Sequence, residues 1–515
     1  MLGRLGNVAG GSTVKKRRHV GAIAAAASSV LLSACWLPQL APTPQGQTSG
    51  DSLSSIACPS TTFCVAIGSY QVLPPNNNGP QVFVDTLSDN HWAASELPLP
   101  GDADGPEAAL EAVSCPIIGS CVALGFYTLA PNNEQGLIET LADGAWSAAE
   151  APLPSDAALS PQSVGFSSLS CAGDGTCAAI GTYLVPGSSL GQEVLETRVN
   201  GKWTATTPVE PSNAAMRSIA SVSAVSCASK TTCTGIGYYS TADGSSGLIE
   251  YLSDGQWQAK AAPIPGAQSG IDLDGISCMP SGTCIVTGSY TNSSGPPFDT
   301  AVVGTISGGT WTTTAAPSPP GVSVSESLGF FVGSPVCSPD GSCAALGSYA
   351  DASNKSYPFA ETYSSGTWSA ELVPTPANAV PGETVLGPIS CASGLACSAI
   401  GSYMVAGDPS PHGFIDTLSN GSWSETEEPL PGNPANVTGY SLADISCPSA
   451  TFCFATGNYG TRSFPVMNPI IVTGIKLSLG TLVTQANNVH FHTMLHPPQH
   501  ARPTDEGHPS SAPGP

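Results

Sequence analysis

One pattern governs what this chain can fold into: a pair of cysteines separated by five residues recurs eight times. The pairs are Cys58/Cys64, Cys115/Cys121, Cys171/Cys177, Cys227/Cys233, Cys278/Cys284, Cys337/Cys343, Cys391/Cys397 and Cys447/Cys453. Successive pairs begin 51 to 59 residues apart and share their context, as in "SSIACPSTTFCVAIGSY" and "AVSCASKTTCTGIGYY". Downstream of a variable loop, each repeat carries a second block such as "LIETLADGAWSAAEAPLP". Its tryptophan recurs as Trp92, Trp146, Trp203, Trp257, Trp311, Trp368 and Trp423, usually with prolines six and eight residues later. Self-similarity at this period means one supersecondary unit repeated, each unit burying its apolar face against the next.

Each unit reads as four short strands. The run into the first Cys is one, and the "CVAIGSY" type of segment is the second. The "LIETL" type is the third, and an Asp-Gly, Asn-Gly or Ser-Gly turn leads into a fourth strand around Trp. Proline, which cannot donate to a ladder, ends that strand. Four antiparallel strands per unit is the arithmetic of a β-propeller blade. The expectation is an all-β fold, a single propeller of eight disulfide-stapled repeats over residues 51–484, with seven closed blades plus a variant eighth as the fallback. Gly (57) and Pro (47) make up about a fifth of the 515 residues, and only 10% are charged, which argues against helical bundles and coiled coils.

The eighth repeat lacks its Trp. Laying "IIVTGIKLSLGTLV" over "GLIEYLSDGQWQA" places Leu482 at the Trp position. Alternatively Trp36, followed by Pro42 and Pro44 at the same offsets, supplies the closing strand from the N-terminal side. An acylated Cys35 would then lie beside a packed strand, so the Leu482 segment is the expected closure.

Residues 1–34 read as an export signal. Lys15, Lys16, Arg17 and Arg18 precede the short apolar run "VGAIAAAASSVLL", which ends in Leu32-Ser33-Ala34-Cys35. That tetrapeptide resembles the lipobox of bacterial lipoproteins. The resemblance implies diacylation of Cys35, a membrane held through that lipid, and a site on the outer surface of the cell membrane. Residues 35–50 are expected as a linker. Cleavage removes five of the 14 basic residues and none of the 37 acidic ones, leaving a net charge of −28. Such a chain is a poor partner for nucleic acid. Sixteen of the 17 cysteines then pair across hairpins in an oxidising compartment, leaving Cys35 for lipid. Zinc ligation fits less well, because no His accompanies the pairs.

The second block resembles kelch-type and galactose-oxidase-like propellers. Ser253-Asp254-Gly255-Gln256-Trp257 is similar to the Asp-box of sialidase-like propellers. The kelch Gly-Gly doublet is replaced here by segments such as Gly68-Ser69-Tyr70, and the Asp-box is one or two residues short. The resemblance implies fold rather than activity. Sialidases cluster three arginines, whereas the mature chain has only Arg198, Arg217, Arg462 and Arg502. Galactose-oxidase copper uses propeller histidines, and only His91 and His412 are available.

An acidic residue recurs in the third strand: Asp85, Glu139, Glu196, Glu250, Asp299, Glu361 and Asp416. A carboxylate ring for a cation or polar ligand is one reading. A scaffold bond to the neighbouring blade is the favoured one, since a once-per-blade group expresses the frame. Tyr70, Tyr127, Tyr183, Tyr239, Tyr290, Tyr349, Tyr403 and Tyr459 also recur, and with the tryptophans they read as packing. Asp102-Ala103-Asp104-Gly105 opens like a calcium loop without its later ligands and reads as a turn. Five histidines (His490, His492, His496, His500, His508) lie in or near a Pro-rich tail, 485–515, expected to be solvated and disordered. No catalytic constellation, metal site or cofactor motif assembles. The loops after the Gly-x-Tyr segments differ between repeats, so recognition of a polysaccharide, peptide or protein is expected on that face. A non-catalytic binding scaffold is the leading expectation. An extracytoplasmic carbohydrate-active hydrolase or lyase with an acidic cleft is the alternative.

Overall fold

The computed structural model describes residues 35–475 apart from 45–47, 73–78, 131–132, 159–163, 188–190, 217–219, 230–231, 254, 265–266, 268, 292–298, 324–328, 420, 428–436 and 462–463. The expected signal (1–34), Leu482 and the tail (485–515) lie outside the described residues.

The first repeat folds as Thr48–Ser60, Phe63–Val72, Pro80–Ser88 and His91–Glu96, hydrogen-bonded in that order into one antiparallel sheet. Repeats two to five repeat this order. Each of their first strands is interrupted by a bulge, as between Leu53 and Ser55 or Leu110 and Ala112, and the added twist lets the strand follow the ring.

All eight Cys-x5-Cys pairs are disulfides that clip the first two strands of their blade: Cys58–Cys64, Cys115–Cys121, Cys171–Cys177, Cys227–Cys233, Cys278–Cys284, Cys337–Cys343, Cys391–Cys397 and Cys447–Cys453. Their Cα atoms are 3.9 to 4.1 Å apart, and pairs such as Cys171/Cys177 and Cys227/Cys233 stand directly opposite in register. Closing so short a loop contributes about 2 kcal/mol, so each bond acts on its own hairpin. The staples also reach deeper than bonds across a surface turn need to. The second cysteine of every pair, Cys64, Cys121, Cys177, Cys233, Cys284, Cys343, Cys397 and Cys453, is buried at 3% exposure or less. These cysteines open the second strand and face the neighbouring blade: Cys284 Sγ lies 3.8 Å from Thr234 Oγ1, and Cys453 Sγ lies 3.6 Å from Ser398 Oγ. Cys343 packs with Met279 and Ile285, and Cys397 with Ala344 and Leu418. Cys284, Cys343, Cys397 and their counterparts are thus framework positions of the core, not sites open to a ligand.

Blades stack face to face. Val65, Ile67, Val82 and Val84 of the first blade pack on Leu110, Ala123 and Leu137 of the second. Neighbouring first strands are also stitched by serine. The serine before the first Cys of one blade accepts the amide N–H of the next blade's first Cys: Ser170 from Cys227 (2.9 Å), Ser226 from Cys278 (2.9 Å), Ser277 from Cys337 (3.1 Å) and Ser390 from Cys447 (2.9 Å). The same bond runs from Cys58 to Ser446 at 3.0 Å, joining the eighth blade to the first. There Asp444 Oδ2 also accepts Ser55 Oγ (2.8 Å) and the Ile56 amide (2.9 Å). The ring is therefore a closed, eight-bladed β-propeller.

Its closure differs from the expectation. The eighth sheet is completed by Cys35–Leu40, antiparallel to Phe464–Ile475, with Trp36 opposite Gly474. Gly474 faces Cys453 across its other edge, so Trp36 holds the place that Trp92 holds opposite Leu87 and Cys64. Trp36 is 5% exposed and lies over Gly474, where an added Cβ would meet the indole at 2.4 Å. The Trp36 segment, not the Leu482 segment, closes the ring, because the indole fills this interface and the glycine beneath admits it. The segment 35–50 is accordingly no linker: it holds the closing strand and the start of the first blade. Among the described residues, blade strands extend from residue 35 to residue 475.

The sixth and seventh blades break the pattern. The first strand of the sixth is split into Gly329–Val332 and Val336–Cys337. A single parallel bridge, Ser356 to Glu383, then fuses the two blades into one nine-stranded sheet.

Candidate functional site

The disulfide turns and the turns between third and fourth strands share one face of the ring. Loops between second and third strands, and the connectors between blades, share the other.

The row of acids is real but shorter than the sequence suggests. Asp85, Glu139, Glu196, Glu250, Glu361 and Asp416 occupy one register position, each opposite the residue two after the second Cys of its blade. Asp299 does not belong to it. It begins its strand opposite Thr291, and the equivalent position in the fifth blade is Gly304, opposite Val286. Trp311 leans over Gly304 and fills the space a side chain would take. In the eighth blade the position is Val472. The six acids are fully buried between blades. Glu250 Oε1 accepts the Val209 amide of the preceding connector at 2.6 Å, a scaffold bond of the kind expected. Both carboxyl oxygens of the other five have no hydrogen-bond partner. Burial pushes all six carboxyls up to about 8, so they are neutral acids at pH 7. Each lies in its own blade with no second acid, His or Cys completing a metal-holding group among the described residues.

The recurring tyrosines do more than pack. Tyr127 donates to Asp102 (3.2 Å), Tyr183 to Asp156 (3.0 Å) and Tyr239 to Asn213 (3.0 Å). Each acceptor lies two residues after a proline, in a tight turn such as Ala103 N–H to Pro100 O or Ala214 N–H to Pro211 O. The Pro-x-Asx spacing in the connectors was the available signal. Asp102 thus belongs to a turn that holds the connector on the ring. Trp36, Trp92 and Trp257 are buried, and the Trp257 indole donates to Thr197 of the neighbouring blade at 2.8 Å. His412 sits on the surface with Nε2 3.2 Å from Asp408. Among the described residues no three His, Cys, Asp or Glu side chains converge to hold a metal. Cys35, exposed, is the first residue of the closing strand.

The cavity that breaks the eightfold repetition lies between the sixth and seventh blades. It measures about 620 Å³ and is lined by Phe331, Ser334, Leu346, Pro358, Val385 and Pro388, with Ser348, Ser356 and Thr384 supplying hydroxyls. The split first strand of the sixth blade and the Leu386/Ile389 irregularity of the seventh border the gap, and Pro358 forms part of its wall. Deeper between the same blades Ala344 packs on Cys397 and Leu418, and Ala360 on Ala399, so the cavity does not run through the whole interface. Phe331 (46% exposed) and Val385 (63% exposed) keep apolar surface open to solvent. None of the residues lining this cavity carries an ionisable side chain.

A separate acidic group spans the third to fifth blades. Glu193 accepts Ser221 Oγ (2.5 Å) and the Val222 amide (2.6 Å), and Ser223 Oγ reaches Asp272 at 3.5 Å. Asp274 stands at the bulge of the fifth blade's first strand, open to solvent. Partial desolvation by the surrounding strands, and next the charge of Asp272, push its carboxyl up to about 6.

Fold and site together define an exported, disulfide-stapled β-propeller, since eight disulfides require an oxidising compartment. Neither a protein-family profile nor a curated protein sequence matches the chain. Solved structures similar to it include a protein of unknown function from Dyadobacter fermentans (10% identity, TM-score 0.36, covering 85% of this chain and 98% of that one). A polysaccharide lyase, an ulvan lyase, is similar at 10% identity and TM-score 0.41, covering 85% and 99%. The Aleuria aurantia lectin, solved with a methyl fucoside, is similar at 14% identity and TM-score 0.27, covering 64% and 99%.

Proposed function

We propose that this protein is a lipid-anchored propeller that holds a ligand or partner in the cleft between its sixth and seventh blades without transforming it. The cleft carries this reading. Its volume lies in the range of small-molecule and peptide sites, and its walls are apolar with a few hydroxyls. Such a wall offers packing and hydrogen bonds, and none of its lining residues is an acid or base that could activate those hydroxyls. The test is to pass the purified chain over immobilised panels of oligosaccharides and of apolar peptides, alongside Val385→Asp. A retained ligand, recovered unchanged and lost in the variant, supports the reading. Binding that survives Val385→Asp, or a ligand recovered cleaved, overturns it.

Asp272 and Asp274 favour a second reading, a carbohydrate hydrolase or lyase. Two neighbouring carboxyls, one raised to about 6, are the kind of pair that divides acid and base duties. Reducing-end release from a polysaccharide, abolished in Asp274→Asn with the fold intact, would establish it. A polysaccharide panel left intact by the wild type would remove it.

A further inference from the structure

From the position of the closing strand we infer that the disulfide-turn face of the ring lies against the membrane surface and the connector face points away; this rests on the reading of Cys35 as the lipid-bearing residue. Cys35 pairs with Ile475, one step beyond the Trp36–Gly474 pair and toward the end of the sheet where Cys447 and Cys453 are bridged. It is therefore on the disulfide-turn face, and it is itself a strand residue of the ring. Acyl chains on Cys35 would enter the bilayer with no spacer between lipid and blade, so the face that carries them has little freedom to turn away.

An independent feature of that face fits a bilayer surface. The Cys115–Cys121 turn holds two apolar side chains out in solvent, Ile117 at 49% and Ile118 at 60% exposure. A diacylated cysteine anchors a chain stably without fixing how the protein is turned, and apolar side chains entering the interface bury further area on the face that carries them. The charge pattern accords with this orientation. By sequence, the eight five-residue disulfide turns contain only Asp174, Lys230 and Asp340, and the turns between third and fourth strands add Asp89, Asp143 and Asp254, no turn holding more than one charge. The connector after the first blade instead gathers Asp102, Asp104 and Glu107 within six residues. An anionic membrane surface repels that cluster more than it repels single charges spread around a ring.

The test uses the full chain expressed in a bacterial host that processes lipoproteins. Incorporation of labelled palmitate into the wild type and Cys35→Ser reports the anchor. Hydroxyl-radical footprinting then compares the wild type in its membranes with the same protein in detergent micelles and the unanchored Cys35→Ser chain. The bilayer is expected to lower labelling of Ile117 and Ile118 severalfold, and to leave Met216, 99% exposed on a connector, unchanged. Palmitate present with equal labelling of the turn, or with Met216 protected instead, overturns the orientation alone. Palmitate absent from the wild type overturns the anchor and the orientation with it.

Discussion

Asp85 and its five counterparts are carboxyls whose burial favours the neutral form, and this ties the stability of the ring to pH. Each titrates near 8 when folded and near 4 when the chain is extended in water. Their contribution is fully present below the unfolded value and is lost as pH rises through about 8, by at most about 1.4 kcal/mol per pH unit for one group. Thermal melts of the wild type should therefore fall steadily from pH 5 to pH 8. Glu139→Gln, which keeps the shape and cannot ionise, should melt higher than the wild type at pH 8 and equally at pH 4. A wild type more stable at pH 8 than at pH 5 would contradict this account. The recurrence of these acids was legible in the sequence, but their register was not. Asp299 precedes a Thr as most of the others do, yet strand pairing sets it five residues away from the position occupied by Gly304.

Within the elements, the closing strand and the serine seam carry the ring. Trp36 fills the last interface over Gly474, so Trp36→Ala should cost about 3–5 kcal/mol, read as a lower urea midpoint. Gly474→Val should also lower the midpoint, since its side chain would overlap the indole. If neither change lowers it, the N-terminal strand is not the closing one. Ser446→Ala removes the acceptor for the Cys58 amide and is expected to cost about 1–3 kcal/mol. The same change at an exposed serine, such as Ser147, should cost little. Strand identity was readable because alternating apolar residues and Gly-containing turns are local signals. The partner of the eighth sheet was not, because residues 36 and 474 are joined only through the completed ring.

For the molecule as a whole, eight short disulfides staple hairpins and do not hold blades together. Replacing Cys171 and Cys177 together by alanine should lower stability by about 2–5 kcal/mol, the lost loop closure plus the lost packing of the buried Cys177 side chain, and leave the β-sheet circular dichroism unchanged. Loss of the entire fold from this one double substitution would show that the bonds act between blades. The repeat number, the four-stranded blade, the cysteine pairing and the turn at Asp102 could all be read from residue type and spacing. They depend on residues close together in the chain, where local pattern suffices. The segment that closes the ring, the neutrality and number of the buried acids, the depth of Cys284, Cys343 and Cys397, and the place where the repetition fails could not. Those outcomes depend on the volumes that one blade presents to the next. A split in one blade's first strand and an irregularity in the next leave each repeat readable in the sequence, and border a cleft only where the two blades meet.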